Sequence, residues 1–137
     1  MSPLVIIIDD EVDITTFLGL ALEDAGYRVQ TLNEATHAME LLRRERPDLI
    51  CLDLLMPEQT GASLYQEIRL DTTLRQTPVL ILSGLNAREE LGQLLHQDPN
   101  LEPPAGYLEK PVEAEAFLQL IQQLLGVGDT PDGESPA

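Results

Sequence analysis

Basic side chains are scarce in this chain: eight lysines and arginines face 24 acids among 137 residues, a formal charge of −16. Such an excess repels nucleic-acid phosphates and anionic membrane surfaces at long range, which argues against either as a direct partner. Lysine occurs once, as Lys110, and every other cation is an arginine. Cysteine also occurs once, as Cys51 inside an apolar run, so no internal disulfide can form. That thiol reads as a small buried hydrophobe in reducing, cytoplasmic surroundings. The two histidines are isolated, and without a His or Cys cluster a zinc site is disfavoured. No apolar run approaches a membrane span, and no basic segment leads into a hydrophobic one at the N-terminus, so neither insertion nor secretion is expected. What is present, 43% hydrophobic side chains, suffices for one domain with a sizeable core.

Short runs rich in β-branched residues and leucine recur at 4–8, 29–32 (weakly), 49–52 and 79–82, with a brief one at 107–108, and read as strands. Between them, apolar residues recur at helical spacing: Ile14, Phe17, Leu18 and Ala21; then Ala35, Ala38, Met39 and Leu42; then Leu64 and Ile68. A fourth helix uses Ala87, Leu91, Leu94 and Leu95, with Asn86 and Glu89 as a capping box. A fifth follows Pro111 with a stripe from Ala114 through Phe117, Leu118 and Ile121 to Leu125. Strands apolar at nearly every position, alternating with helices, predict an α/β fold: a three-layer, doubly wound, five-stranded parallel sheet. Residues 96–106 carry Pro99, Pro103 and Pro104 and are expected to form a loop. Residues 1–126 read as the domain, and 127–137, acidic and rich in Gly and Pro, as a disordered tail.

Chemistry-bearing residues stand where the strand runs stop: Asp9 and Asp10 after the first, Asp53 after the third, Ser83 after the fourth and Lys110 after the fifth. Doubly wound sheets bind ligands at the carboxyl ends of their strands, and the order 2-1-3-4-5 would place these four strands side by side. Neighbouring strands lie about 4.8 Å apart, so carboxylates from the first and third can share one ion while the long Lys110 stem reaches back. Three crowded carboxylates call for a divalent cation with oxygen ligands, and Mg²⁺ is the natural choice for phosphoryl chemistry. Asp53 then becomes a candidate nucleophile, with Lys110 and the Ser83 hydroxyl neutralising or donating to the transferred group.

This ordered set resembles the receiver domain of two-component response regulators. The motifs are Asp9-Asp10-Glu11 after a hydrophobic strand, Asp53 followed by Met56-Pro57 and Gly61, Ser83-Gly84, and Tyr107 ahead of Lys110-Pro111. The resemblance covers residues 4–125 and implies a flavodoxin-like (βα)5 fold. It implies a phosphoryl group accepted on Asp53 from a histidine kinase or histidine phosphotransfer protein. It further implies Mg²⁺ held by Asp10, Asp53 and the Leu55 carbonyl, with Asp9 acting through water. Ser83 and Tyr107 would move together on phosphorylation and remodel the surface of the fourth helix, fifth strand and fifth helix for a downstream target. The Lys110-Pro111 bond would be cis, a property mainly of proline.

Within that resemblance the chain reads as a single-domain, chemotaxis-regulator-like signalling protein that catalyses only its own phosphorylation and dephosphorylation, as a monomer or weak dimer. The alternatives are a receiver fragment of a larger regulator or hybrid kinase, and a pseudo-receiver that only binds proteins; Asp10, Asp53 and Lys110 together argue against the latter. A dehalogenase-like phosphatase would need a second acid where Leu55 stands. A flavodoxin-like cofactor carrier would need a phosphate-cradling loop where Asp9-Asp10-Glu11 would repel phosphate. Two positions depart toward apolar residues, Leu55 and Leu85, two beyond Asp53 and Ser83; side chains there influence hydrolysis in the family, and leucine cannot orient a water. The segment before Lys110 is longer than usual for the family, and its proline-rich part, 97–104, is expected to alter which partner docks.

Overall fold

A computed structural model describes residues 2–54, 56, 61–84 and 87–126 of the chain. The expected tail 127–137, the Leu55 carbonyl, Leu85 and the Asn86 cap lie outside the described residues. Five strands, β1 (Leu4–Ile8), β2 (Arg28–Leu32), β3 (Leu49–Asp53), β4 (Val79–Ser83) and β5 (Gly106–Glu109), alternate with helices α1 (Val12–Asp24), α2 (Ala38–Glu45), α3 (Gly61–Leu70), α4 (Ala87–Gln97) and α5 (Ala114–Leu125). The strands are all parallel, in the order β2-β1-β3-β4-β5.

Every residue of β1 and β3 is buried, as continuous apolar strands covered on both faces require. Alternation divides them: Leu4, Ile6, Ile8, Ile50 and Leu52 pack with Ala38, Leu42, Leu64, Ile68 and Leu91 of α2, α3 and α4. Val5, Ile7, Leu49 and Cys51 pack against Leu18 and Leu22 of α1 and Phe117 and Ile121 of α5. The weak second run is an edge strand with a mixed exposure pattern. Burial pushes the Cys51 thiol far above its ordinary value, so it is an unreactive core residue.

Three local expectations are corrected. Phe17, read as core-facing, is 48% exposed, whereas Thr15, Gly19 and Leu22 are buried with Leu18. A side-chain carbon at Gly19 would lie 3.6 Å from Val29 and 3.7 Å from Thr31, so the smallest positions of α1 face the edge strand and Phe17 turns outward. Ala35 is buried but precedes α2, because the Glu34 carboxylate accepts the His37 N–H (3.1 Å) and holds a turn there. His96 belongs to α4, which runs to Gln97; the loop begins at Asp98, where Pro99 disfavours helical backbone in the residue before it.

The proline-rich loop packs at the amino ends of β4 and β5. Its Leu101 is buried, the Ala105 N–H donates to the Val79 carbonyl, and the Tyr65 hydroxyl donates to the Glu102 carbonyl. Arg69 adds to this anchor: its Nε donates to the Tyr65 oxygen (3.0 Å), its guanidinium sits over the Tyr65 ring, and it donates to the carbonyls of Arg75 and Thr77. Tyr65→Phe removes the part-buried hydrogen bonds to the Glu102 carbonyl and from Arg69 and is expected to cost about 0.5–1.5 kcal/mol in urea unfolding. Unaltered stability would mean that the loop is not held by this hydroxyl.

Candidate acidic site at the strand ends

Register brings the acids together. Ile8 pairs with Leu52, so Asp9 and Asp53, the next residues of each chain segment, emerge level with one another. Asp53 stands opposite Leu82 and Ser83 opposite Glu109, which places Lys110 one residue beyond the last pair. The peptide bond from Lys110 to Pro111 is cis.

Carboxylate oxygens of Asp9, Asp10 and Asp53 all lie within 4.8 Å of one another. Asp9 is fully buried and Asp53 nearly so, at 0% and 2% exposure, while Asp10 is partly exposed. Asp9 is also fixed from its backbone: its N–H donates to the Leu32 carbonyl (3.1 Å), and Asn33 Nδ2 donates to its carbonyl (2.8 Å) and to Thr15 Oγ1 (3.0 Å). One side-chain oxygen, Oδ1, accepts the Glu11 N–H at 2.9 Å. The other, Oδ2, is buried with no aligned hydrogen bond among the described residues, although the Lys110 ammonium is 2.9 Å away. Three carboxylates around a buried, incompletely satisfied oxygen, with oxygen donors only, fit a hard divalent cation such as Mg²⁺.

Lys110 Nζ lies 2.7 Å from Glu11 Oε1, 2.9 Å from Asp9 Oδ2 and 3.5 Å from Asp53 Oδ2. Burial by itself lowers the lysine pKa; hydrogen bonding to Glu11 and the charges of Asp9 and Asp53 more than reverse it, so the value stands well above the ordinary one. The ammonium is therefore charged throughout the neutral range. A raised pKa means that its contribution to stability is complete below the ordinary lysine value and fades only as pH rises through the higher folded one.

Of the residues singled out from sequence, Asp9, Asp10, Asp53 and Lys110 meet at one place. The backbone of Ser83 ends β4 beside them, but its side chain is outside the described set. Tyr107 pairs with Ile81 in register and is half-buried against the core face shared by α2, α3 and α4. Glu11, to which no role was given, is the tightest partner of Lys110, and Asn33 and Thr15 brace Asp9. A cleft of about 500 Å³ lined by Arg69, Arg75 and Asn100 lies at the other end of the sheet, by the proline-rich loop. The acids are not in it, so volume is a poor guide to chemistry here.

The sequence profile described as "Response regulator receiver domain" matches residues 5–122. The DNA-binding dual master transcriptional regulator RpaA of Synechocystis is 34% identical over 124 residues, which cover 90% of this chain and 49% of that protein. The polar-differentiation response regulator DivK of Brucella anthropi is 27% identical over 121 residues, covering 88% of this chain and 94% of that one. Among crystal structures, the chemotaxis response regulator CheY4 of Vibrio cholerae matches with a TM-score of 0.77 and 26% identity, over 91% of this chain and 100% of that one. The chain thus spans about half the length of the RpaA relative and nearly the whole of DivK and CheY4. No helix among the described residues is long and apolar enough to cross a membrane.

Proposed function

Because this chain belongs to the response regulator receiver domain family of two-component systems, we propose that it accepts a phosphoryl group on Asp53 and signals through a phosphorylation-dependent change of surface. The observation that carries this reading is the Asp53 carboxylate held beside Asp9 and Asp10, within 3.5 Å of the chain's only lysine. An Asp53 oxygen attacks the donor's phosphorus as the bond from phosphorus to the donor's leaving group breaks, forming an acyl phosphate. Lys110 offsets charge on the transferred group, and the Ser83 hydroxyl donates to it. Asp10 and Asp53, with the Leu55 carbonyl and with Asp9 through water, would hold Mg²⁺, which when bound neutralises charge shared between carboxylates and phosphoryl oxygens.

The physiological donor in this reading is a histidine kinase or histidine phosphotransfer protein. Ser83 and Tyr107 act as the switch, and α4, β5 and α5 present the altered surface to a downstream protein. A ligand group shifts such an equilibrium only through contacts that differ between its two states, and the phosphoryl contacts with Ser83 and Lys110 are of that kind. The loop 98–105, tied to α3 and running into β5, tunes which partner docks. The protein works in the cytoplasm as a monomer or weak dimer.

Incubation with acetyl phosphate and Mg²⁺ followed by intact mass tests the reading: one hydroxylamine-labile phosphoryl group is expected. No gain, with this donor and with a histidine kinase, would favour a module that only binds proteins. Leu55 and Leu85 carry no group able to orient water, so the phosphoryl state is expected to persist for minutes or longer. Loss of label within seconds in Mg²⁺ would overturn that expectation.

A further inference from the structure

The Lys110 ammonium is held by two carboxylates that are closer than Asp53: Glu11 at 2.7 Å and Asp9 at 2.9 Å, against 3.5 Å for Asp53. With two nearer carboxylates competing for its three N–H groups, the ammonium is drawn off from a phosphoryl group on Asp53 unless one of them releases it. The two holders are not equivalent. Asp9 is 0% exposed and cannot lose its counter-charge to water, whereas the Glu11 side chain is 57% exposed and rehydrates as soon as it lets go. Glu11 is also placed for this contact. Its backbone is pinned by the bond from its N–H to Asp9 Oδ1 at 2.9 Å, and it occupies the position before α1 with extended backbone. A residue there commonly turns its side chain back to cap the helix. Glu11 makes no such bond and spends its carboxylate on Lys110, whose residue number is 99 higher.

We propose that Glu11 is a positioning residue that draws the Lys110 ammonium toward itself, so that it rests closer to Glu11 than to Asp53 in the unphosphorylated protein, and so slows phosphoryl uptake; the inference rests on the phosphoacceptor reading above. Phosphorylation then requires a handover, in which the lysine moves from an exposed carboxylate to the transferred group. A hold by a half-exposed acid is modest, and releasing it corresponds to a rate change of about two- to fivefold.

The test compares the wild type with Glu11→Gln and Glu11→Asp. Glutamine removes the charge; aspartate keeps it but falls one methylene short of the ammonium. Both are expected to take up phosphoryl from acetyl phosphate about two- to fivefold faster. A second readout needs no phosphorylation: with one lysine in the chain, protein labelled with ¹³C,¹⁵N-lysine gives a single set of side-chain signals, and both variants are expected to shift it. If Glu11→Asp takes up phosphoryl at the wild-type rate while Glu11→Gln is faster, bulk repulsion of the donor is at work and the positioning role is overturned. An unmoved lysine signal alongside normal uptake overturns it too. Absence of uptake in all three proteins sinks the phosphoacceptor reading itself, and with it the slowing role.

Discussion

Asp53→Asn is expected to abolish phosphoryl uptake, by at least about a thousandfold, because the carboxamide keeps the shape of the side chain but offers no carboxylate oxygen for attack. The fold should tolerate the change. Asp53 shares its neighbourhood with two other carboxylates within 4.8 Å, and removing one negative charge relieves repulsion. The measurement is intact mass after incubation with acetyl phosphate and Mg²⁺, with circular dichroism to confirm folding. Labelling of the variant at the wild-type level would place the acceptor elsewhere and remove the main conclusion. A folded variant that no longer labels, beside a wild type whose label is released by hydroxylamine, identifies an acyl phosphate on this residue.

Lys110→Met carries the largest expected effect on stability. Methionine fills similar apolar space along the stem but leaves the buried Asp9 and Asp53 carboxylates without their cation. Breaking a buried ion pair from one side costs about 3–5 kcal/mol, and part of that figure must be set aside here because Lys110 retains 17% exposure. A loss of about 2–4 kcal/mol in metal-free buffer is therefore expected from denaturant unfolding. Saturating Mg²⁺ should restore much of it, because a cation that binds the folded state preferentially stabilises it by mass action and supplies the missing positive charge. Equal stability of the variant and the wild type in metal-free buffer would show that the acids do not depend on the ammonium. Failure of Mg²⁺ to stabilise either protein would argue against the acids as its site.

Much of the site was legible in the chain because the boundary of an apolar run is also the boundary of a strand. Ile8 and Leu52 end such runs, so Asp9 and Asp53 had to emerge at strand ends, and parallel pairing put those ends on the same edge of the sheet. The core-facing helical positions were less secure. In α1 the apolar residues surround more than one face, and periodicity alone did not separate Phe17, which points outward, from Leu18 and Leu22, which are buried. The packing of Gly19 against Val29 and Thr31 decides that rotation, and a tertiary approach of a helix to an edge strand has no local sequence signal. Glu11 was visible as part of an acidic motif, but nothing adjacent in the chain marked it as the nearest partner of Lys110.

The amino-acid order alone determined the alternation of strands and helices, the burial of β1 and β3 on both faces, and the presence of acids and a lone lysine at strand ends. Those properties follow from periodicity and from where apolar runs stop, which are local. Only the tertiary structure decided that Lys110 rests on Glu11 and Asp9 in preference to Asp53, that Asn33 and Thr15 brace Asp9, and that Tyr65 ties down the proline-rich loop. Each of these joins residues far apart in the chain. Strand register and side-chain reach settle such contacts to within an ångström, and neither quantity exists until the sheet has formed.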